Sequence, residues 1–90
     1  MKIIKILLNL LNFTYRHKEY IMTNQQLCKR YVELLKALCE CVKYENKVRF
    51  EEVFQEKCNI VKELDKRDSN AFYQWVLNGA NPNQLHKFYA

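Results

Sequence analysis

The sequence predicts an all-α fold: a helical hairpin over about 24–44 and 47–65, one or two short C-terminal helices after it, and an amphipathic N-terminal helix before it. Three observations carry this. Glycine and proline occur once each, at Gly79 and Pro82, so the preceding 78 residues lack both strong breakers of regular structure. Apolar residues recur at steps of three and four instead of alternating, and capping residues stand where those runs begin.

At 90 residues the chain supports one domain at most, and a domain of this size is marginally stable alone. The organisation expected is an arm, 1–22, followed by a single small helical domain, 23–90. In the arm, Lys2, Lys5, Asn9, Asn12 and Arg16 form one narrow polar stripe on an α-helix. Ile3, Ile4, Ile6, Leu7, Leu8, Leu10, Leu11 and Phe13 make most of the remaining circumference apolar, so such a helix seeks lipid or protein. The run is far short of the ~20 residues that span a bilayer, and Lys5 interrupts it. No Ala, Gly or Ser precedes Ala37, which argues against signal-peptidase cleavage. A cationic stretch free of acid until Glu19 fits a mitochondrial presequence, and an interfacial membrane anchor through 1–13 competes with it. Two further readings are a helix packed on the domain and an extension upstream of a translation start at Met22.

In the domain, Thr23 and Gln26 match the capping box that opens a helix. Behind them Leu27, Tyr31, Leu34, Leu35, Leu38, Cys41 and Val42 form the strongest periodic signal of the chain. The phase breaks at Tyr44–Lys47 and resumes on Phe50, Val53, Phe54, Cys58, Val61 and Leu64. Either one long helix continues with a shifted face or, as favoured, Glu45 and Asn46 form a turn, with Asn46 as cap and Glu51 and Glu52 in the first turns. Ser69 is the expected cap of a third helix bearing Phe72, Tyr73, Trp75, Val76 and Leu77, which Asn78 and Gly79 stop. Asn81 and Pro82 open a last short helix with Leu85, Phe88 and Tyr89. The string LNGANPN at 77–83 is similar to the loop that closes an ankyrin repeat. The Asp-x-x-Gly-x-Thr-Pro-Leu-His continuation is absent, so the likeness is one of turn chemistry and implies no function.

The net charge of +5 belongs largely to the arm. Of 15 basic residues four lie there (Lys2, Lys5, Arg16, Lys18), and of 10 acidic residues one does (Glu19), so the domain holds eleven against nine. A nucleic-acid binder concentrates a basic stripe on its folded body, so nucleic acid is the less favoured partner. Phe72, Tyr73, Trp75, Phe88 and Tyr89 suit base stacking only if exposed, and core packing is the simpler expectation.

No catalytic constellation is visible. Small mitochondrial intermembrane-space proteins with disulfide-linked hairpins carry two Cys-x9-Cys pairs. Here ten residues separate Cys28 from Cys39, and the second helix holds only Cys58. Cys28, Cys39, Cys41 and Cys58 are therefore expected as reduced, small apolar core residues. Cys39 and Cys41, two apart on a helix, point in widely different directions and make a poor metal knuckle. His17 and His86 stand alone. Glu51, Glu52, Glu56 and Glu63 interleave with lysines, and Glu63 lies at helical spacing from Lys66, which reads as a solvated ion-pair surface. One glycine cannot build a phosphate loop, and Ser69 is the only serine.

The expectation is a noncatalytic protein–protein interaction module without a cofactor or metal, such as a small helical accessory subunit or assembly factor. The alternatives are a peripheral membrane protein and a ribosome- or RNA-associated accessory protein. Partner or core contacts are assigned to Leu27, Tyr31, Leu34, Leu38, Phe50, Phe54, Phe72 and Trp75, and membrane or targeting contacts to Lys2, Lys5, Leu7, Leu8, Leu11 and Arg16.

Overall fold

A computed structural model describes residues 21–89. The arm helix and its residues Lys2, Lys5, Leu7, Leu8, Leu11 and Arg16 lie outside the described residues. Helix α1 spans Asn24–Lys43, α2 spans Lys47–Leu77 with one non-helical residue at Asp68, and a 3-10 helix spans Pro82–Lys87. No strand occurs among the described residues, and α1 packs along α2 as an antiparallel hairpin.

The helix boundaries follow from local chemistry. At the start of α1, the Gln26 amide donates to Thr23 Oγ1 at 3.1 Å, and the Thr23 amide donates to Gln26 Oε1 at 2.9 Å. Two of the four orphan amides of a helix start are thereby satisfied reciprocally. The hairpin turn uses three residues, Tyr44, Glu45 and Asn46. The Asn46 amide reaches back to the Cys41 carbonyl at 2.9 Å and that of Glu45 to Val42, which closes α1 with a Schellman motif. That motif needs a left-handed residue, and Glu45 supplies it at φ +53°. Asn46 then turns from terminator to initiator: its Oδ1 accepts from the Arg49 amide and caps α2.

The second stop repeats the same chemistry with the residue best suited to it. Gly79 is left-handed at φ +103°, its amide donates to the Val76 carbonyl, and the Ala80 amide donates to that of Trp75 at 3.0 Å. Pro82 sits in the first turn of the 3-10 helix, which Asn81 caps by accepting from the Asn83 amide.

The break in α2 differs from the expectation in one residue. Asp68, not Ser69, caps the segment 69–77: it is extended at φ −158° and ψ 92°, and its Oδ1 accepts from the Ala71 amide at 3.1 Å. Ser69 is already helical, and its hydroxyl donates to Asp65 Oδ1 at 2.7 Å. Asp and Ser cap about equally well, and here the carboxylate of Asp68 also meets the positive end of the helix while the Ser69 hydroxyl is engaged by Asp65.

The core runs the length of the hairpin. Leu27, Tyr31 and Leu34 of α1 are buried against Val53, Ile60 and Leu64 of α2, and Cys41 is buried nearer the turn. Burying each large aliphatic side chain contributes about 1.5–3 kcal/mol. At the end away from the turn, 69–77 folds onto α1. Tyr31 meets the Phe72 ring edge-on at 5.6 Å and the Trp75 ring at 5.9 Å. Trp75 is fully buried and satisfies its indole N–H on the Asn81 carbonyl at 2.9 Å. Arg67 ties the same end together, donating to the Met22 carbonyl at 2.7 Å and to Asn24 Oδ1 at 3.1 Å.

Candidate interaction surface

The two helices of the hairpin meet along two edges, and these differ. One edge is ionic. Arg30 of α1 forks onto Glu56 of α2 through Nε at 2.9 Å and Nη2 at 3.1 Å, and also reaches Glu33 at 3.4 Å. The Glu56 carboxylate holds the Arg30 guanidinium above its ordinary value. Further along, Glu63 pairs with Arg67 at 2.9 Å rather than with the expected Lys66. Arg67 sits one full turn on, where its planar fork reaches the carboxylate directly.

The other edge is apolar. On α1, Asn24, Cys28, Tyr31, Leu35, Leu38 and Val42 follow one another at steps of three and four, so they form one row. On α2, Lys47, Phe50, Phe54, Lys57 and Val61 do the same. The row on α1 is covered at one end only. Cys28 and Tyr31 are buried beneath 69–77 and the residues after it. Leu35, Leu38 and Val61 are half-buried, and toward the turn Phe54 is 44% exposed and Val42 67%. Phe50, half-buried, and Phe54, exposed, stack in parallel at 6.0 Å. Lys57 Nζ lies 5.1 Å from the Phe54 centroid, and Lys43 Nζ lies 5.6 Å from that of Tyr44, itself 72% exposed. Val48, equally exposed, completes an apolar tip.

The residues assigned from sequence divide accordingly. Leu27, Tyr31, Leu34, Phe72 and Trp75 are buried within the chain and offer nothing to a partner. Leu38 and Phe50 are half-buried, and Phe54 is exposed. The stripe expected on α2 is turned: Val53, Ile60 and Leu64 face the core, while Phe54 lies outside it, and Cys58 and Val61 are half-buried. Ile60 is the residue that resets the phase, because Val53, Ile60 and Leu64 lie seven and four apart on one meridian. Val42, expected inside, is also exposed. What sequence reasoning missed was the heptad-like row through Lys47, Phe50, Phe54, Lys57 and Val61, which its spacing alone could have revealed.

The cysteines are unpaired among the described residues. Cys28 and Cys41 are buried and Cys58 half-buried, whereas Cys39 is exposed, contrary to its expected core position. Burial pushes the Cys28 thiol up to about 11, against the opposing influence of the neighbouring Tyr89 hydroxyl. That hydroxyl is itself buried with the Cys28 thiol beside it, and burial raises it too. Phe72 and Trp75 are enclosed and cannot receive a base, whereas Tyr73 is exposed. Among the described residues no group of three or more His, Cys, Asp or Glu is placed to hold a metal, and no helix is long and apolar enough to cross a membrane. No family model, curated protein or solved structure matches the chain.

Proposed function

We infer that this protein is a noncatalytic protein–protein interaction module, a small helical accessory subunit or assembly factor, which docks through the open end of its helical hairpin. One observation carries the reading. The seam between α1 and α2 loses its cover beyond Tyr31, and an aromatic and aliphatic surface built on Leu38, Val42, Phe50 and Phe54 faces outward. Scattered apolar side chains are ordinary on a surface, but a contiguous row ending in a stacked aromatic pair is the composition of a contact surface. The row stands on two helices held in register by the buried core and the Arg30–Glu56 fork, so it is preorganised and loses little entropy on binding.

The test is affinity isolation of the full chain and of its Phe54→Asp variant from the native source, with mass spectrometry of what accompanies each. A stable partner that accompanies the parent and is absent from a still-folded variant supports the reading. A free monomer, or a partner retained by the variant, overturns it.

A further inference from the structure

We propose that the open seam takes an acidic amphipathic helix supplied by another protein, its apolar residues laid against Leu38, Val42, Phe50 and Phe54 and its carboxylates reaching Lys47 and Lys57. The proposal rests on the docking reading above and names the chemistry of the partner.

The covered half of the seam shows what the open half receives. There, a helix of this same chain, 69–77, sets Phe72 and Trp75 onto Tyr31. The row that holds Tyr31 continues without a break in spacing through Leu35 and Leu38 to Val42. The exposed stretch is therefore the continuation of an interface already built for helix packing. On α2 the row from Lys47 to Val61 is about 21 Å long at 1.5 Å per residue, room for nearly four turns of a second helix. Two antiparallel helices with an apolar groove between them match the recognition of amphipathic helices by anchors at three- and four-residue steps.

Charge selects among the occupants. Lys47 and Lys57 belong to the row itself, and Lys57 stands over the Phe54 ring. Lys36 and Lys43, one heptad apart, lie about 100° around α1 from Leu35 and Val42, on the outward face of the helix, with Glu40 between them at helical spacing. Glu52 and Glu56 lie about 200° around α2 from Phe54, on the ionic edge, where Arg30 already engages Glu56. Glu51, one turn before Phe54, is the carboxylate on α2 nearest the open seam, and Asp65 at the covered end accepts from Ser69. Glu40 offsets Lys36 and Lys43 on their face and Glu45 stands in the turn, so the positive charge at the seam is that of Lys47 and Lys57, which belong to the row itself and are opposed along it by Glu51. The arm of this chain, with Lys2 and Lys5 and no acid before Glu19, brings like charge to those two lysines, and a second copy sets lysine against lysine. A helix flanked by carboxylates is complementary in both respects.

The experiment uses the full chain and two fluorescein-labelled synthetic helices of about four turns. Both carry leucine at the same three- and four-residue steps, with glutamate flanks in one and lysine flanks in the other. Fluorescence anisotropy is expected to show the glutamate peptide binding about tenfold more tightly at low salt, with the difference shrinking as salt is raised. Lys47→Glu with Lys57→Glu is expected to reverse the preference, and Phe54→Asp to abolish binding of both peptides while circular dichroism stays helical. Equal affinities, a preference for the lysine peptide, or a preference unmoved by the double variant overturns the proposal. So does binding that appears only after removal of residues 1–20, or a Phe54-dependent dimer in light scattering. A native partner lost with Phe54→Asp but no acidic preference leaves the docking reading standing without its chemistry. A native partner indifferent to Phe54→Asp removes both.

Discussion

Lys57 holds its ammonium 5.1 Å from the centre of the Phe54 ring, at the point where the hairpin's apolar seam emerges from under the C-terminal segment. A cation over an aromatic face contributes only about 0.5–1 kcal/mol at an exposed site. The same ring stacks on Phe50 and is still 44% exposed. Phe54 thus differs in kind from Leu34, which lies wholly inside, and half-buried Leu38 on the rim of the core stands between them.

That difference is measurable. Leu34→Asp buries a charge without a partner and is expected to unfold the domain. Phe54→Asp is expected to lower stability by about 1 kcal/mol or less, because its site is open to water. Urea unfolding followed by circular dichroism checks both. A Phe54→Asp chain that fails to fold shows that the ring is structural.

The break in α2 gives a second contrast. Asp68→Ala removes the oxygen that accepts from the Ala71 amide and is expected to cost about 1 kcal/mol, whereas Ser69→Ala is expected to change little. Trp75 fluorescence reports the loss directly, since the segment capped by Asp68 carries that ring onto Tyr31. Equal effects of the two substitutions would place the cap at Ser69.

At the hairpin turn, Glu45 occupies a left-handed conformation that a side chain adopts at a cost of about 1–2 kcal/mol. Glu45→Gly relieves it and gives back part of the gain as unfolded-chain entropy, for an expected net stabilisation of about 0.5–1 kcal/mol. Thermal unfolding reads this as a rise in Tm. A fall in Tm would mean that the Glu45 side chain contributes a contact of its own.

Cys28 makes the fold sensitive to alkali. Its thiol titrates at about 11 in the folded chain against about 9 ordinarily, so the unfolded chain releases the proton first. The contribution to stability is complete below pH 9 and is lost as pH rises through 11. Raised values at Tyr31 and Tyr89, both from burial, act in the same direction. Stability measured across this range is expected to fall more steeply in the parent than in Cys28→Ala. Iodoacetamide at mildly alkaline pH is expected to label exposed Cys39 first and Cys28 only on unfolding.

Features that depend on neighbours in the chain were legible from sequence. Thr23 with Gln26, Asn46 before Arg49, and Gly79 after Leu77 each act through backbone atoms a few residues away, so their spacing contains their geometry. Which meridian of a helix faces its partner was less legible. Phe54 and Ile60 both belong to apolar rows of α2, and only the approach of α1 buries Ile60 and leaves Phe54 outside. By sequence Phe72 and Trp75 belong to partner or core contacts with core packing the simpler expectation, and the fold sets them onto Tyr31 in the core, leaving the less conspicuous Val42, Tyr44 and Val48 exposed. The surface left open is set by where the C-terminal segment stops, and no local pattern encodes that.

The most direct test of the docking surface is the affinity of the isolated native partner for the full chain and for its Phe54→Asp variant, measured by calorimetry with both chains verified as folded. Docking through the open seam predicts at least about tenfold weaker binding by the variant, the loss expected when an anchor residue is removed from a contact surface. Equal affinity of the two chains would contradict it.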